Sequence, residues 1–417
     1  MTRAGPGAGP EGAGGPGTGA PDEPGRVGGP APLPGLDAWP PRGRWPESLH
    51  RAVAALRAVL RGHDGAALLG LSGGADSCAL AVAAAALTGT RAGAGLGPVG
   101  AVVVDHGLQA DSAEVAAAAA GVARTLGLGP VLVRRVTVAD AGEGPEAAAR
   151  RARREAFAAA AREAGAGLVL VAHTADDQAE QVLLGLARGS GTRSLAGIPA
   201  GGALPDGTPL ARPLLGLTRA DAEAICRWAG VRWWEDPHNA DPALLRSRVR
   251  TRVLPALEDL ADGLGPGVRE GLVRTAAIAA EDAAALEQWA ACALAECRVR
   301  GEAPSPGDAV VRLDLAAFAA LPPAVRHRVL GLAVVEAGGP RPTRERTLAV
   351  DALAVPADPG AGGSAGPVEL PGGVEVRRRH SGGPGEGGGG GLAGPESALR
   401  GGRGCAMLEI VRRAARP

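Results

Sequence analysis

The chain has 417 residues, of which 46% are hydrophobic, so it is long enough for two or three domains with sizeable cores. Its 44 basic and 44 acidic residues cancel to a net charge of zero. Overall charge therefore does not favour a nucleic-acid partner, and any such contact must come from local patches. The sequence contains no lysine, which excludes a catalytic lysine and leaves arginine as the fixed cation.

Cysteine usage and the terminal segments indicate the compartment. The five cysteines form no CxxC pair, and the chain is too long for a disulfide-stabilised mini-protein. No apolar run near the N-terminus is long enough for a signal peptide or a transmembrane helix. We therefore expect a reduced, cytoplasmic protein.

Two segments are predicted to be disordered tails. Residues 1–44 and 381–417 are rich in glycine and lack the apolar content that a core requires. A short helix is predicted at the end of the second tail. Deleting residues 1–40 and everything after residue 384 is accordingly expected to leave activity nearly unchanged.

Between the tails, the pattern predicts two domains. Residues 45–220 alternate short apolar runs with Ala-rich helical stretches, which indicates a parallel sheet flanked by helices, an α/β fold. Residues 221–380 read as a second, mainly helical domain that ends in a hairpin at 367–379. The predicted strands of the first domain are 66–71, 99–104, 131–136 and 167–172. In such sheets ligands bind beyond the carboxyl ends of the strands.

A glycine-rich loop after the first strand is the strongest functional signal. Residues 71–77 read Leu-Ser-Gly-Gly-Ala-Asp-Ser and open a helix. Glycines allow a tight turn, and backbone N–H groups at the helix N-terminus bind phosphate. The predicted nucleotide-binding residues are Ser72, Gly73, Gly74, Ala75, Asp76 and Ser77, with Asp105 and His106 at the end of the second strand. The alternative is a βα turn with a Ser/Asp helix cap.

Carboxylates beside this loop need a counter-charge. Asp76 would repel phosphate unless a Mg²⁺ ion lies between them. After the fourth strand, His173 precedes Asp176, Asp177 and Glu180 at the start of a helix. These five residues are the predicted catalytic set, with Asp76 and Asp177 as metal ligands. The alternative for the three acids of the helix is a stabilising N-terminal cap.

Amide substitution separates the two interpretations of the helix acids. If they bind a ligand, Asn or Gln in their place is expected to leave the thermal midpoint almost unmoved and to cripple turnover. If they only cap the helix, the same changes cost stability, about 1 kcal/mol or less each.

These strings resemble known families. The string Ser-Gly-Gly-x-Asp-Ser is the signature of the PP-loop ATP pyrophosphatase superfamily. With Asp105-His106, residues 173–184, residues 234–239 and residues 246–250, the chain resembles the tRNA(Ile)-lysidine synthetases from about residue 50 to 380. It departs from the usual family strings at Ala172, Gln181, His238 and Ser247.

The resemblance implies a reaction and its partners. Residues 45–220 would be a PP-loop ATP-binding catalytic domain and residues 221–380 a tRNA-binding domain. The substrates implied are ATP with Mg²⁺, free L-lysine and tRNA(Ile) with a CAU anticodon. The wobble cytidine would be adenylated and then attacked by lysine to give lysidine. His173 or a nearby carboxylate would deprotonate the lysine amine, and the oligomeric state is left open, a homodimer included.

Two arginine clusters are candidates for RNA contact, although a solvated face is an alternative for both. One cluster is Arg150, Arg151, Arg153 and Arg154, and the other is Arg246, Arg248, Arg250 and Arg252. The second lies in a family-like string, so Arg246, Arg248 and Arg250, together with Arg188, are the predicted tRNA contacts. Arginine suits phosphate because its planar fork binds two oxygens at once.

Two other functions remain as alternatives. A PP-loop tRNA thiolase would adenylate a base in the same way but generally needs paired reactive cysteines or an iron–sulfur cluster. No cysteine pair is predicted to be suitably placed, since Cys292 and Cys297 lie five residues apart on a helix. A non-catalytic RNA-binding protein would not need the loop acids that this chain retains.

Overall fold

The computed structural model describes residues 40–89, 93–107, 111–138, 144–189, 191–299, 309–355, 366–380 and 406–412. These residues form two compact units. The first unit comprises the chain up to Leu184 together with Ile198–Val273. The second comprises Gly185–Gly197 and the chain from Arg274 onward.

The first unit is built on a six-stranded sheet with the order β3-β2-β1-β4-β6-β5. Strands β3, β2, β1, β4 and β6 are parallel to one another, and the edge strand β5 is antiparallel to β6. The strands are β1 (Ala66–Gly70), β2 (Val99–Asp105), β3 (Val131–Arg135), β4 (Ala166–Leu170), β5 (Gly201–Ala203) and β6 (Pro209–Ala211). The predicted α/β fold and its four strands are therefore confirmed. The fourth strand ends at Leu170, three residues before His173.

The helices up to residue 258 are α1 (Glu47–Arg61), α2 (Ala75–Thr88), α3 (Ser112–Thr125), α4 (Pro145–Ala164), α5 (Ala175–Ala187), α6 (Thr192–Leu195), α7 (Arg219–Trp228), α8 (Leu245–Arg248) and α9 (Leu254–Glu258). A π-helical turn, Val249–Val253, joins α8 to α9. Of these, α6 lies in the second unit.

The central sheet is covered on both faces. Successive residues of a strand point to opposite sides. Leu69 of β1 packs in a core with helices α1, α2, α3 and α7. Its neighbour Leu68 packs in another core with Phe157 and the alanines of α4. Helices α2 and α4 therefore lie on opposite faces of the sheet, and the carboxyl ends of β1, β2 and β4 open between them.

The boundary between the units lies further along the chain than the predicted one at residue 220. Helix α7 begins at Arg219, and its buried residues Ile225 and Cys226 belong to the same core as α2. The first unit then continues to Val273. Residues 221–273, predicted to belong to the helical domain, thus fold with the phosphate loop.

The second unit combines helices with an antiparallel sheet of order β7-β10-β9-β8. The strands are β7 (Ala309–Asp314), β8 (Val368–Leu370), β9 (Val374–His380) and β10 (Ala406–Arg412). The remaining helices are α10 (Val268–Cys297), α11 (Leu315–Ala320), α12 (Pro323–Glu336) and α13 (Arg344–Ala354). Helix α10 begins in the first unit and belongs to the second unit from Arg274 onward. Among the described residues, no helix combines the length and the apolar composition that crossing a bilayer requires.

Two predictions for this unit have opposite outcomes. The hairpin is confirmed, since β8 pairs with β9 around Gly372 and Gly373, which have φ of 81° and 72°. The disordered tail with a terminal helix is wrong where the structure describes it, because β10 is a strand hydrogen-bonded to both β7 and β9. The residues of the tails at 1–39, 381–405 and 413–417 lie outside the described residues.

The side chains of β10 are part of the core. Leu408 and Ile410 are fully buried with residues of α12 and α13. Deleting everything after residue 384 would therefore remove an inner strand, so the reason for expecting the segment to be dispensable, its inability to pack, is wrong. The local pattern could not show it, because a seven-residue strand after a glycine-rich run is recognisable only with its distant partners.

We predict that Ile410→Ala lowers the free energy of unfolding by about 2–5 kcal/mol, the usual cost of truncating a buried isoleucine. Met407 lies in the same strand and is only half-buried, so Met407→Ala is the matched control and should cost clearly less. Urea denaturation followed by circular dichroism measures both. Equal, small losses would show that β10 is not an inner strand.

Candidate active site

A cavity of about 580 Å³ lies at the carboxyl ends of the parallel strands of the first unit. Its walls are the loop after β1, the end of β2, the segment after β4 and Arg212 after β6. Open α/β sheets bind ligands at this edge. A volume of this size is typical of small-molecule sites.

Hydroxyl groups fix the conformation of the predicted phosphate loop. Ser72 Oγ and Ser77 Oγ lie 3.1 Å apart, and Ser77 Oγ donates to the carbonyl of Gly74 at 3.0 Å. Gly73 has a φ of +87°, which a side chain would strain. The Trp234 N–H donates to the carbonyl of Gly73 at 2.9 Å, so the string at 234–239 is held against the loop. The loop is thus held in one conformation, and the N-terminus of the 14-residue helix α2 that follows it faces the cavity.

Asp76 is a half-buried carboxylate on which the charges of Asp177, Arg219 and Arg250 act. Its Oδ1 has no hydrogen-bond partner among the described residues. Burial, and next the charge of Asp177, raises the pKa of Asp76 to about 6. An unpartnered carboxylate oxygen beside a phosphate loop fits Mg²⁺, which binds one or two carboxylates together with substrate phosphates. No cluster of three or more His, Cys, Asp or Glu side chains within the described part of the chain could hold a metal by itself.

The predicted acids Asp177 and Glu180 are paired with two of the predicted tRNA-binding arginines. Glu180 is fully buried, and its two oxygens accept from Arg246 Nε at 2.7 Å and Arg250 Nε at 2.5 Å. Asp177 Oδ1 accepts from Arg246 at 3.0 Å and Arg250 at 3.4 Å. We call these four side chains the ion-pair cluster. The two arginines therefore lie in the same unit as the phosphate loop and neutralise Asp177 and Glu180. This differs from the prediction, which placed the arginines in a separate domain.

The other predicted acid, Asp176, points elsewhere. Its Oδ2 accepts the backbone N–H of Arg219 at 2.7 Å, and its Oδ1 pairs with Arg269. It therefore joins the starts of α5, α7 and α10 and does not line the cavity. Asp177 lines the cavity and also accepts the Thr174 N–H at 2.8 Å, so it caps α5 as well.

The remaining predicted tRNA contacts lie outside the cavity wall. Arg248 donates to the carbonyls of Pro242 and Ala243 at 2.9 and 3.3 Å. Arg188 is exposed near the end of α5, in the second unit.

Two neutral imidazoles line the cavity. Burial lowers the pKa of His173 to about 4, and burial, followed by Arg153, lowers that of His106. Neither Nδ1 has a hydrogen-bond partner among the described residues. Both rings are therefore uncharged at neutral pH and available to a ligand.

Asp105 forms a turn at the end of β2. It accepts the Gly107 N–H at 2.9 Å, and a hydrogen bond from Ser112 is the main cause that lowers its pKa. It also lines the cavity. This geometry favours a turn-capping role for Asp105, which was predicted to bind nucleotide, and leaves His106 as the side chain that a ligand would meet.

The first arginine cluster, which the sequence did not favour, forms one wall of the cavity. Arg150, Arg153 and Arg154 of α4 and Arg212 after β6 line it, and we call them the arginine wall. Burial, and next the charges of Arg150 and Arg154, lowers the pKa of Arg212. The signal was available, because residues spaced three and four apart share a helix face.

The cysteines show no reactive pair in the described chain. Burial raises the pKa of Cys78 to about 12 and also raises that of Cys226. Their thiols donate to the carbonyls of Gly73 and Ala75, each at 3.4 Å. Cys405 lies outside the described residues. The thiols of Cys78 and Cys226 thus support the loop and lack the low pKa that sulfur chemistry needs.

We predict that Asp76→Asn stabilises the ligand-free protein at pH 7. Because the folded pKa, about 6, lies above the ordinary 3.8, stability falls as the pH rises from about 4 to about 6 and then stays lower. The amide removes this cost, on the order of 2–3 kcal/mol. Urea denaturation of both proteins at pH 7 and pH 4 measures it. The difference should vanish at pH 4, and its persistence there would contradict the assignment to the Asp76 proton.

We predict that Glu180→Gln lowers the free energy of unfolding by about 2 kcal/mol or more, because it leaves two partly buried guanidinium groups without their carboxylate. This reverses the expectation that an amide would leave stability unmoved. Glu163, whose side chain is 58% exposed in a pair with Arg134, is the matched control, and Glu163→Gln should cost about 1 kcal/mol or less. Indistinguishable thermal midpoints for the two variants would contradict the structural role of Glu180.

Comparison with known proteins identifies the family. The chain matches the PP-loop domain over residues 48–257 and the TilS substrate binding domain over residues 313–381. It is 52% identical to the tRNA(Ile)-lysidine synthase of Leifsonia xyli subsp. xyli (strain CTCB07) over 75% of this chain and 87% of that protein. The corresponding enzyme of Salinispora arenicola (strain CNS-205) is 46% identical over 78% and 94%.

Among solved structures, the chain matches the U34-tRNA thiolase NcsA from Methanococcus maripaludis with a TM-score of 0.44 and 18% identity over 56% of this chain and 79% of that one. The identity to curated relatives is far higher and extends over most of both chains. The chain therefore belongs to the tRNA(Ile)-lysidine synthase family.

Proposed function

We propose that this chain ligates free lysine to C2 of the wobble cytidine of tRNA(Ile) with a CAU anticodon, converting ATP to AMP and pyrophosphate. The observation that carries the proposal is the cavity itself. It combines a phosphate loop, an unpartnered carboxylate, neutral imidazoles and an arginine wall at one sheet edge. Membership of the lysidine synthase family supplies the reaction that these groups serve.

In the first step, the cytidine O2 attacks the α-phosphorus of ATP, the bond to the β-phosphate oxygen breaks, and pyrophosphate leaves. The N–H groups of residues 73–77 and the start of α2 would hold the leaving phosphates. Asp76 Oδ1, which lacks a partner among the described residues, would hold Mg²⁺. The ion would neutralise phosphate charge when bound.

In the second step, the ε-amine of lysine attacks C2, the bond from C2 to the adenylate oxygen breaks, and AMP leaves. The amine must lose a proton, so an acceptor has to lie beside it. His173 is neutral and has an Nδ1 without a partner in the described chain, and it is our preferred acceptor. Asp177 also lines the cavity and would hold the lysine ammonium in addition to the arginines that contact its Oδ1; Glu180 does not line the cavity.

The alternative acid Glu180 is less suited to the lysine. It is fully buried and both of its oxygens are engaged by arginine, so it acts on Asp177 through the ion-pair cluster. We therefore assign it to positioning. A localisation in the cytoplasm, where tRNA, ATP and free lysine occur together, is part of the proposal.

We predict that the wild-type chain transfers labelled lysine to a tRNA(Ile) transcript with a CAU anticodon and that Asp76→Asn loses both pyrophosphate release and transfer. Without the Asp76 carboxylate, the site would not hold the Mg²⁺ ion that offsets the charge of the phosphates. Asp206→Asn is the control, because Asp206 pairs with Arg162 on the surface and does not line the cavity. It should retain full activity.

The two assays separate the competing functions. Pyrophosphate release without lysine transfer would refute lysidine synthesis and leave an adenylating enzyme with another nucleophile. Wild-type activity in Asp76→Asn would refute the role of Asp76. An absence of both activities in the wild-type chain would favour a non-catalytic RNA-binding protein.

A further inference from the structure

Among the described residues, the arginine wall carries more positive charge than neighbouring carboxylates balance. Burial, and next the charges of Arg150 and Arg154, lowers the pKa of Arg212, and no described carboxylate opposes this. The hydrogen bonds made by Arg154 and Arg212 go to backbone carbonyls, those of Ala203 and Pro199. These bonds fix the side chains without neutralising them.

One hydrogen-bond donor of the arginine wall, Arg212 Nε, is unsatisfied among the described residues. Arg212 is only 7% exposed, and its Nε is buried with no hydrogen-bond partner among the described residues. A buried N–H of a charged group without an acceptor costs free energy. An anion bound in the cavity would remove that cost. The wall therefore has the charge and the unsatisfied donor of an anion site.

The wall and the phosphate loop are two separate anion-binding elements. The loop begins α2, which packs on the Leu69 face of the sheet, whereas Arg150, Arg153 and Arg154 belong to α4 on the Leu68 face. A group on the loop and a group on the wall thus reach the cavity from opposite sides of the strand ends. One triphosphate held by the loop would leave the wall for a second polyanion.

We propose that the arginine wall binds the phosphodiester backbone of the RNA beside the reacting base, and that the triphosphate of ATP is left to the loop. The proposal deepens the function proposed above and rests on it. In phosphoryl transfer the attacking and leaving oxygens lie roughly in line. Since pyrophosphate leaves on the loop side, the attacking base enters from the other side, where the wall lies.

The chemistry of arginine fits this occupant. Its planar fork binds two phosphate oxygens at once and remains charged when partly buried. Proteins that recognise unpaired RNA bases combine such backbone contacts with a pocket for the base. Arg150 and Arg154 are therefore positioning residues that would place the wobble nucleotide over the α-phosphate, and they take no part in bond making.

The test compares RNA and ATP affinity in the full-length chain. In Arg150→Gln, the affinity for a tRNA(Ile) transcript without ATP should fall about tenfold, as expected for the loss of one charge-assisted phosphate contact. The slope of log affinity against log salt should fall by about 0.7. The dissociation constant for ATP without RNA, measured by titration calorimetry, should stay within twofold of wild type.

Matched variants make the result specific. Arg151 lies on the same helix outside the cavity lining, so Arg151→Gln should change neither affinity. Arg150→Lys keeps the charge and should restore most of the salt slope. Thermal melting of each variant confirms folding, and the exposed position of Arg150 makes its replacement tolerable.

The outcomes decide between occupants. A loss of ATP affinity with unchanged RNA affinity would overturn the proposal and assign the wall to the triphosphate. Unchanged affinity for both would overturn it as well. If wild-type protein binds the transcript through the wall but transfers no lysine, the lysidine function fails while the assignment of the wall to RNA stands.

Discussion

The arrangement of the cavity depends on one fully buried carboxylate, that of Glu180. Glu180 of α5 binds Arg246 and Arg250, which lie some seventy positions further along the chain. Removing this carboxylate would leave two partly buried guanidinium charges uncompensated. Partly buried ion pairs therefore constrain a structure even when their net contribution to the free energy of folding is small. The pair fixes the segment around α8 beside α5, and through Asp177 it sets the charge next to the cavity.

Some charges at the cavity are paired, such as Asp177 and Arg250, and others are not. Asp76 has an oxygen without a hydrogen-bond partner among the described residues, and the described part of the chain offers no carboxylate partner to Arg150, Arg153 or Arg154. Each arrangement costs stability in the absence of ligand. A site prepared in this way gains electrostatic free energy only when phosphate and cation arrive together. This is the pattern expected of a pre-organised phosphoryl-transfer site.

Local signals in the sequence predicted the sheet and the phosphate loop. The loop at 71–77 is contiguous, so its residues, turn and helix could be recognised together. The spacing of Arg150, Arg153 and Arg154 indicates one shared helix face, but the groups that this face and the second cluster meet are distant in sequence. Only the fold shows that Arg250 meets Glu180 and that Arg153 faces the cavity. The strand β10 was missed for the same reason, since its hydrogen bonds go to distant strands.

The late position of β10 in the chain also determines when the sheet of the second unit can form during translation. Strand β7 ends at Asp314, and its partner β10 begins about 90 residues later, at Ala406. At a translation rate of about 5–20 residues per second, β7 waits on the order of 5–20 s for its neighbour. During that time an apolar strand edge has no partner within the sheet, which is the condition under which nascent chains associate wrongly. The first unit contains a similar wait, since β4 begins at Ala166, about 95 residues after its neighbour β1 ends at Gly70, but its sheet is complete once Ala211 has been made. The nucleotide site can therefore form on the ribosome well before the second unit closes its sheet.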